Sequence, residues 1–276
     1  MKLKNYLIAI DLDDTVVTNF SQKDEKSFAK LKELSKDNLI IIATGRPNRS
    51  SIDYYNELGL TGPLINYNGA WIHNPSDANY PVTMISMNKQ KIIDFYNDNK
   101  DIIYNLFSEV GDDIYLDEYR EELHPFLHMD GGRLHTGPLE IIMADDPAGA
   151  IFFANKEYKD RLEKYVADKF KGDVMIRFWN KGNPLIGEFY NPHITKGKAL
   201  EEIRIHYNID IDKTIAFGDG HNDIDMITFA KYGVAMGNSH PDLLKAAKYH
   251  TGSFFESGVY DFLTKLENGE IKYKSS

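Results

Sequence analysis

Cysteine is absent from the 276 residues of this chain, which excludes a disulfide framework, a cysteine-ligated zinc site and a thiol nucleophile. That absence suits a cytoplasmic protein. No uninterrupted apolar run approaches the roughly 20 residues that cross a bilayer, and Met1–Lys4 leads only into a short apolar stretch ending at Ile10. Neither membrane insertion nor secretion is expected. Positive charge is scarce: the formal net charge is −10, with no concentrated block of Lys and Arg. This argues against nucleic-acid binding, which rests mainly on clustered cations, but leaves room for a small anion where positive groups and a metal converge. Internal repeats, low-complexity tracts and a GxxxxGK[ST] phosphate loop are also missing. What remains, 42% hydrophobic and 27% charged residues, is enough to bury a full core in one or two domains.

Short apolar runs alternate with helical spacing. Tyr6 to Ile10 reads as a buried parallel strand, which puts Asp11 at its carboxyl end. Phe28, Leu31 and Leu34 set a helix within 21–37, and Leu39 to Ala43 gives a second strand ending at Thr44-Gly45-Arg46. A helix at 50–58, a strand at 63–66 and a turn at Asn68-Gly69 follow. The middle changes texture: helical spacing at 89–99, a Gly/His/Pro-rich patch at 123–138, an apolar run at 139–144 and a helix near 158–170. The alternation then returns, with a helix at 196–207, a strand at 214–217, a helix at 222–231 and a strand at 233–236. The pattern predicts a doubly wound, Rossmann-like α/β core interrupted by a separate insert, with a frayed end at 272–276.

Asp11-Leu12-Asp13-Asp14-Thr15 directly follows a buried strand, so two carboxylates two residues apart can serve one ligand in different roles. One can attack phosphorus while the other handles a proton. An isolated DxD is more commonly an acidic turn or helix cap. A calcium loop is disfavoured because Val16 stands where that loop needs Gly. Gly218-Asp219-Gly220-His221-Asn222-Asp223 places further carboxylates at another strand end, where ligands of open α/β sheets bind and a hard cation such as Mg²⁺ can be held. Gly-Asp-Gly alone is a common turn; the coincidence with Asp11 and Thr44 at other strand ends raises the functional reading. Thr44 offers phosphate a hydroxyl and an N–H, or simply caps a helix. Lys196 opens a helix and can bring an ammonium to phosphate, although spacing alone does not choose it over Lys198.

These residues resemble the haloacid dehalogenase-like (HAD) hydrolases, and within them the Cof-type, subfamily IIB phosphatases, whose cap domain is inserted between the second and third motifs. DxDxT is met by Asp11, Asp13 and Thr15, and the second motif by Thr44. Lys196-Gly197 meets the third, and GDGxNDxxM is met from Gly218 through Met226. The match extends to Asn68-Gly69-Ala70, Gly233 to Asn238, Lys245 and Thr251, and covers roughly the first 75 and last 85 residues closely. Asp14 stands where the family often has Gly, and His193 replaces a frequent Gly just before Lys196.

The resemblance implies a core at 1–84 and 191–276 with an α/β cap at 85–190 that sets specificity. It implies a cytoplasmic, Mg²⁺-dependent phosphatase acting through an aspartyl-phosphate on a small phosphorylated metabolite, a sugar phosphate or a cofactor or nucleotide monophosphate. Asp11 is then the nucleophile and Asp13 the general acid and base. The metal belongs to Asp11, the Asp13 backbone carbonyl and Asp219, with Asp223 ligating or supporting. Thr44, Lys196 and Asn222 hold the phosphate oxygens. Gly45 and Arg46 are substrate candidates, with a surface or ion-pairing arginine an equal reading for Arg46. In the cap, His128, Arg133, His135, Arg177 and Trp179 are candidates for the leaving group, each more commonly structural, and surface placement is favoured over metal binding for His124, His128 and His135. A phosphosugar mutase and a catalytically silent metabolite-binding regulator are the alternatives, and a monomer or weak homodimer is expected.

Overall fold

The computed structural model describes residues 2–19, 21–180 and 182–271, so the expected frayed end lies outside the described residues. The chain divides into two units. One comprises Met1–Arg46, Ser51–Thr83 and Thr195–Ser276, the other Pro47–Ser50 and Met84–Ile194. The insert had been expected at 85–190; the second unit also takes in the four residues that follow the Thr44-Gly45-Arg46 stretch.

The first unit is built on five parallel strands in the order Tyr249–His250, Tyr232–Ala235, Thr214–Gly218, Leu7–Ile10, Leu39–Ile42. Leu7–Ile10 and Leu39–Ile42 are continuously apolar because both faces are covered. Ile8, Ile10, Ile40, Ile42, Ile215 and Phe217 point into one buried cluster with Phe28, Leu31 and Leu34 of the helix Glu25–Leu34 and Phe262 and Leu263 of the helix Gly258–Glu267. Leu7, Ala9, Ile41, Ala43 and Ala216 point to the opposite side, against Ala199, Leu200 and Ile203 of the helix Lys196–His206 and Met226 and Ile227 of the helix Ile224–Phe229. Each fully buried Leu, Ile, Phe or Met side chain among these contributes about 1.5–3 kcal/mol relative to exposure, and each alanine less. Because the strands are parallel, their carboxyl ends share one edge, where Asp11 and Asp219 follow directly and Thr44 follows one residue on. The expected helix at 222–231 is instead a 3₁₀ turn, His221–Asp223, leading into Ile224–Phe229.

The second unit carries a six-stranded sheet in the order Arg133–Thr136, Asp113–Leu116, Ile103–Val110, Gly149–Ala154, Leu185–Tyr190, Met175–Phe178. All pairs are antiparallel except the first, which is parallel. Phe152 and Leu106 join one cluster with Phe95 of the helix Lys89–Asn97 and Leu162 of the helix Lys159–Phe170. Their neighbours Phe153 and Phe107 face the other way, with Leu123 and Leu127. Covering both faces removes the apolar and polar alternation that would have announced these strands in the sequence. The apolar run at 139–144 is a single helical turn, Leu139–Ile142.

Candidate active site

Asp11 leaves the sheet with its backbone N–H still donating to Phe217 O at 3.1 Å, so its position is set by the central strand pair. Its carboxylate is buried. Oδ1 accepts from Lys196 Nζ at 2.6 Å and Oδ2 from the Thr15 hydroxyl at 3.5 Å. Lys196 is the first residue of its helix, capped by Thr195, whose hydroxyl accepts from Lys198 N at 3.2 Å. The choice that spacing left open is decided by burial: the Lys196 side chain is 0% exposed, whereas Lys198 faces solvent. Lys196 Nζ also donates to Asp223 Oδ1 at 2.7 Å, while Asp223 Oδ2 accepts from the Asp219 and Gly220 N–H groups at 3.0 and 2.9 Å. Asp223 thereby moulds the Gly218-Asp219-Gly220 loop as well as facing the lysine.

One oxygen from each of Asp11, Asp219 and Asp223 falls within 4.8 Å of the others. Burial raises the pKa of both Asp11 and Asp219. Lys196 opposes the rise at Asp11, with Asp223 and Asp13 adding to it; at Asp219 the neighbouring Asp11, Asp223 and Asp14 charges add to it. Lys196 is held well above the usual lysine range because the two carboxylates outweigh its own burial. Three carboxylates crowd together and one ammonium contacts two of them, Asp11 and Asp223, a donor set of hard oxygens with excess negative charge that fits a divalent cation.

Thr44 is fully buried at the end of the neighbouring strand, its Oγ1 accepting from Arg46 N at 3.1 Å and its carbonyl from Asn68 N at 3.0 Å. Asn68 has a left-handed backbone, φ 57°, and its Oδ1 accepts from Asn222 Nδ2 at 2.9 Å, joining the second and fourth motifs. The next residue, Gly69, has φ +107°, and a Cβ there would lie 2.5 Å from Thr195 O, so glycine is required for this turn to meet the Lys196 helix. Gly197 is equally constrained: its N–H donates to Asp225 Oδ2 at 3.0 Å, and a Cβ would come within 2.8 Å of the Asp225 backbone. Gly45 is exposed beside Asn68.

Asp13 accepts from Arg46 Nε at 2.9 Å and Nη2 at 2.6 Å, and Arg46 stacks over Tyr54 with 5.5 Å to the ring centroid. Asp14, where the family often has glycine, has φ 54°, the region glycine enters freely and Asp tolerates; its carbonyl accepts from Asn238 Nδ2 at 2.8 Å. The sequence reading missed the pairing of Arg46 with Asp13 and the roles of Asn68 and Asp225. The Asn-Gly dipeptide was the visible signal for Asn68, and nothing local distinguished Asp225.

In the second unit the candidate side chains are engaged locally. Arg133 and His135 both pair with Asp113, with contacts of 2.8 Å. Arg177 and the Trp179 indole N–H donate to Glu188 Oε2 at 2.7 and 3.1 Å. The His128 carbonyl accepts from Arg49 Nε at 2.9 Å, and His124 meets Tyr119 Oη at 3.3 Å. His193 sits in an exposed turn, its N–H donating to Asn191 Oδ1 at 2.9 Å. Among the described residues the histidines form no metal-ligating group.

A family model described as haloacid dehalogenase-like hydrolase matches residues 8–263. The chain is 31% identical over 270 residues to the 5-amino-6-(5-phospho-D-ribitylamino)uracil phosphatase YitU of Bacillus subtilis, covering 95% of this chain and 98% of that protein. In fold it resembles a haloacid dehalogenase-like hydrolase from Bacteroides thetaiotaomicron, with a TM-score of 0.80 and 23% identity over 95% of this chain and all of that one. It also resembles the HAD subclass IIB sugar phosphatase BT4131, with a TM-score of 0.77 and 23% identity over 97% of this chain. No helix among the described residues is long and apolar enough to cross a membrane.

Proposed function

The chain belongs to the haloacid dehalogenase-like hydrolases and is a phosphatase of small phosphorylated metabolites, and we propose that it is a cytoplasmic, Mg²⁺-dependent phosphoric monoester hydrolase that works through an aspartyl-phosphate on Asp11. The observation that carries this reading is the buried Asp11 carboxylate at a parallel strand end, with Lys196 on one oxygen and two further carboxylates crowded beside it. A structural role alone does not call for three acids sharing one cation.

In the first step an Asp11 carboxylate oxygen bonds to phosphorus, the bond to the ester oxygen breaks, and that oxygen takes a proton from Asp13. In the second, water attacks phosphorus and gives a proton to Asp13 while the bond to Asp11 breaks, releasing inorganic phosphate. Lys196 and Asn222, with the Thr44 hydroxyl, stabilise the equatorial oxygens. Lys196 favours the ionised form of Asp11, opposing the rise that burial imposes. Asp11, Asp219 and the Asp13 carbonyl would hold Mg²⁺, with Asp223 supporting, and the ion would offset repulsion between nucleophile and phosphoryl group. The second unit serves as the cap that selects the leaving group.

The test is phosphate release from ribityl, sugar, nucleotide and cofactor monophosphates with and without Mg²⁺, beside Asp11→Asn. The ribityl ester is included because the Bacillus subtilis relative is named for one. Turnover that needs both the metal and Asp11 supports the reading. Isomerised sugar phosphate dependent on a bisphosphate activator would point to a mutase, and tight binding without turnover to a regulator.

A further inference from the structure

We propose that Arg46 is a positioning residue: a buried guanidinium clamp that fixes the Asp13 carboxylate for proton transfer, and not a hand for substrate. The inference rests on the assignment of Asp13 as general acid and base.

The two side chains are unequally placed. The Arg46 side chain is 4% exposed and that of Asp13 48%. A guanidinium so enclosed cannot reach out to a leaving group, but its partner's carboxylate is open on one side. Arg46 Nε and Nη2 meet the two different oxygens of Asp13, at 2.9 and 2.6 Å. That bidentate geometry fixes the plane of the carboxylate as well as its distance, which a single ammonium would not do.

The arginine is itself held. The Tyr54 ring lies 5.5 Å from its carbon, and its own backbone N–H donates to Thr44 Oγ1 at 3.1 Å. One residue therefore ties the phosphate-facing hydroxyl of the second motif to the carboxylate of the first, across 33 positions of sequence. A half-exposed aspartate without this clamp would sample several rotamers, only some of which reach the ester oxygen or the attacking water. Holding it beforehand lowers the reorganisation needed when the proton moves.

The clamp acts on kcat and acts through Asp13, which sets the experiment: steady-state and burst kinetics of the full chain with Mg²⁺, for Arg46→Met, Arg46→Lys, Asp13→Asn and the double variant Arg46→Met/Asp13→Asn. With an alkyl phosphate that the unaltered protein hydrolyses, Arg46→Met is expected to lower kcat about 100-fold, within the range of general acid–base catalysis, and to leave KM within about threefold. With 4-nitrophenyl phosphate the leaving oxygen needs no proton, so the variant gives a burst of nitrophenolate followed by slow turnover. Arg46→Lys keeps the charge and loses the fork, and is expected to lose about tenfold in kcat. In the Asp13→Asn background the methionine change should add less than about twofold.

A raised KM with unchanged kcat would make Arg46 a substrate contact and overturn the proposal. So would a full additional loss in the Asp13→Asn background. If Arg46→Met does not fold, as judged by thermal melting, the lysine variant carries the same KM and burst readouts. Absence of phosphate release from every ester by the unaltered protein would instead defeat the phosphatase reading itself, a result distinct from either.

Discussion

The two units handle charge in opposite ways. In the second, each charged group with little exposure meets a counter-charge: Glu109 with Arg49, Glu188 with Arg177. Even the half-buried Asp113 is matched by Arg133 and His135. In the first, Asp11, Asp219 and Asp223 crowd together with Lys196 as the ammonium between them. Balanced pairs are compatible with architecture alone, since each ion's desolvation is offset by its partner. An unbalanced buried cluster of acids destabilises the empty protein, and on the proposed reading a divalent cation would correct it. The imbalance, more than the presence of charge, marks where chemistry is expected.

That contrast can be broken at its strongest point first. Asp11→Asn is expected to reduce turnover by on the order of 10⁴ or more, because the proposed nucleophile is lost. In a chelator its melting temperature should not fall, since one of three crowded acids has been neutralised; a clear drop in calorimetry would refute the crowding argument. Lys196→Met acts the other way, removing the ammonium that contacts Asp11 and Asp223. Activity should fall about 10²–10³-fold, as for loss of one transition-state donor, and stability by about 3–5 kcal/mol near neutral pH, as for an orphaned buried partner. Mg²⁺ should recover part of that stability but not the activity, as read by melting with and without the ion.

The second unit should answer differently. Glu109 is pushed up to about 7, with burial the main cause and Arg49 opposing it. Its folded value lies above its unfolded one, so the folded chain binds this proton more tightly. The resulting stabilisation is complete below about pH 4.5, the ordinary glutamate range, and drains away as pH rises through 7. Glu109→Gln should therefore flatten the slope of melting temperature between pH 5 and 8 while leaving kcat unchanged in the full chain. Smallest of all, Arg133→Ala removes an exposed pair and should shift neither melting nor turnover measurably. A loss of turnover there would show that the second unit's polar surface takes part in substrate selection.

How much was legible varies by unit. Tyr6 to Ile10, Leu39 to Ala43 and Thr214 to Phe217 were readable as buried strands, because a parallel sheet covered on both faces leaves an uninterrupted apolar run bounded by polar residues. The six strands of the second unit were not, although Phe152 and Phe153 or Leu106 and Phe107 lie in adjacent pairs, because residues aimed at opposite clusters look alike in one dimension. At the candidate site, Asp11, Asp13, Thr44, Asp219 and Asn222 were singled out from motifs at strand ends and Lys196 from one opening a helix. Arg46 was left between substrate and ion pair, and its partner Asp13 is what the structure supplied.

The sequence by itself determined the inventory and its order: carboxylates and a threonine at the ends of buried strands, a lysine opening a helix, and an insert between them. Those follow from local spacing, since strand and helix periods place a residue at an element's end without knowledge of the rest of the chain. Only the tertiary structure decided that Lys196 and not Lys198 meets Asp11, that Asp223 faces both the lysine and the Asp219 loop, and that Arg46 grips Asp13. Asp11 and Lys196 are 185 positions apart. No local period spans that distance, and the contact exists because parallel strands bring their carboxyl ends to one edge and a helix N-terminus to the same place.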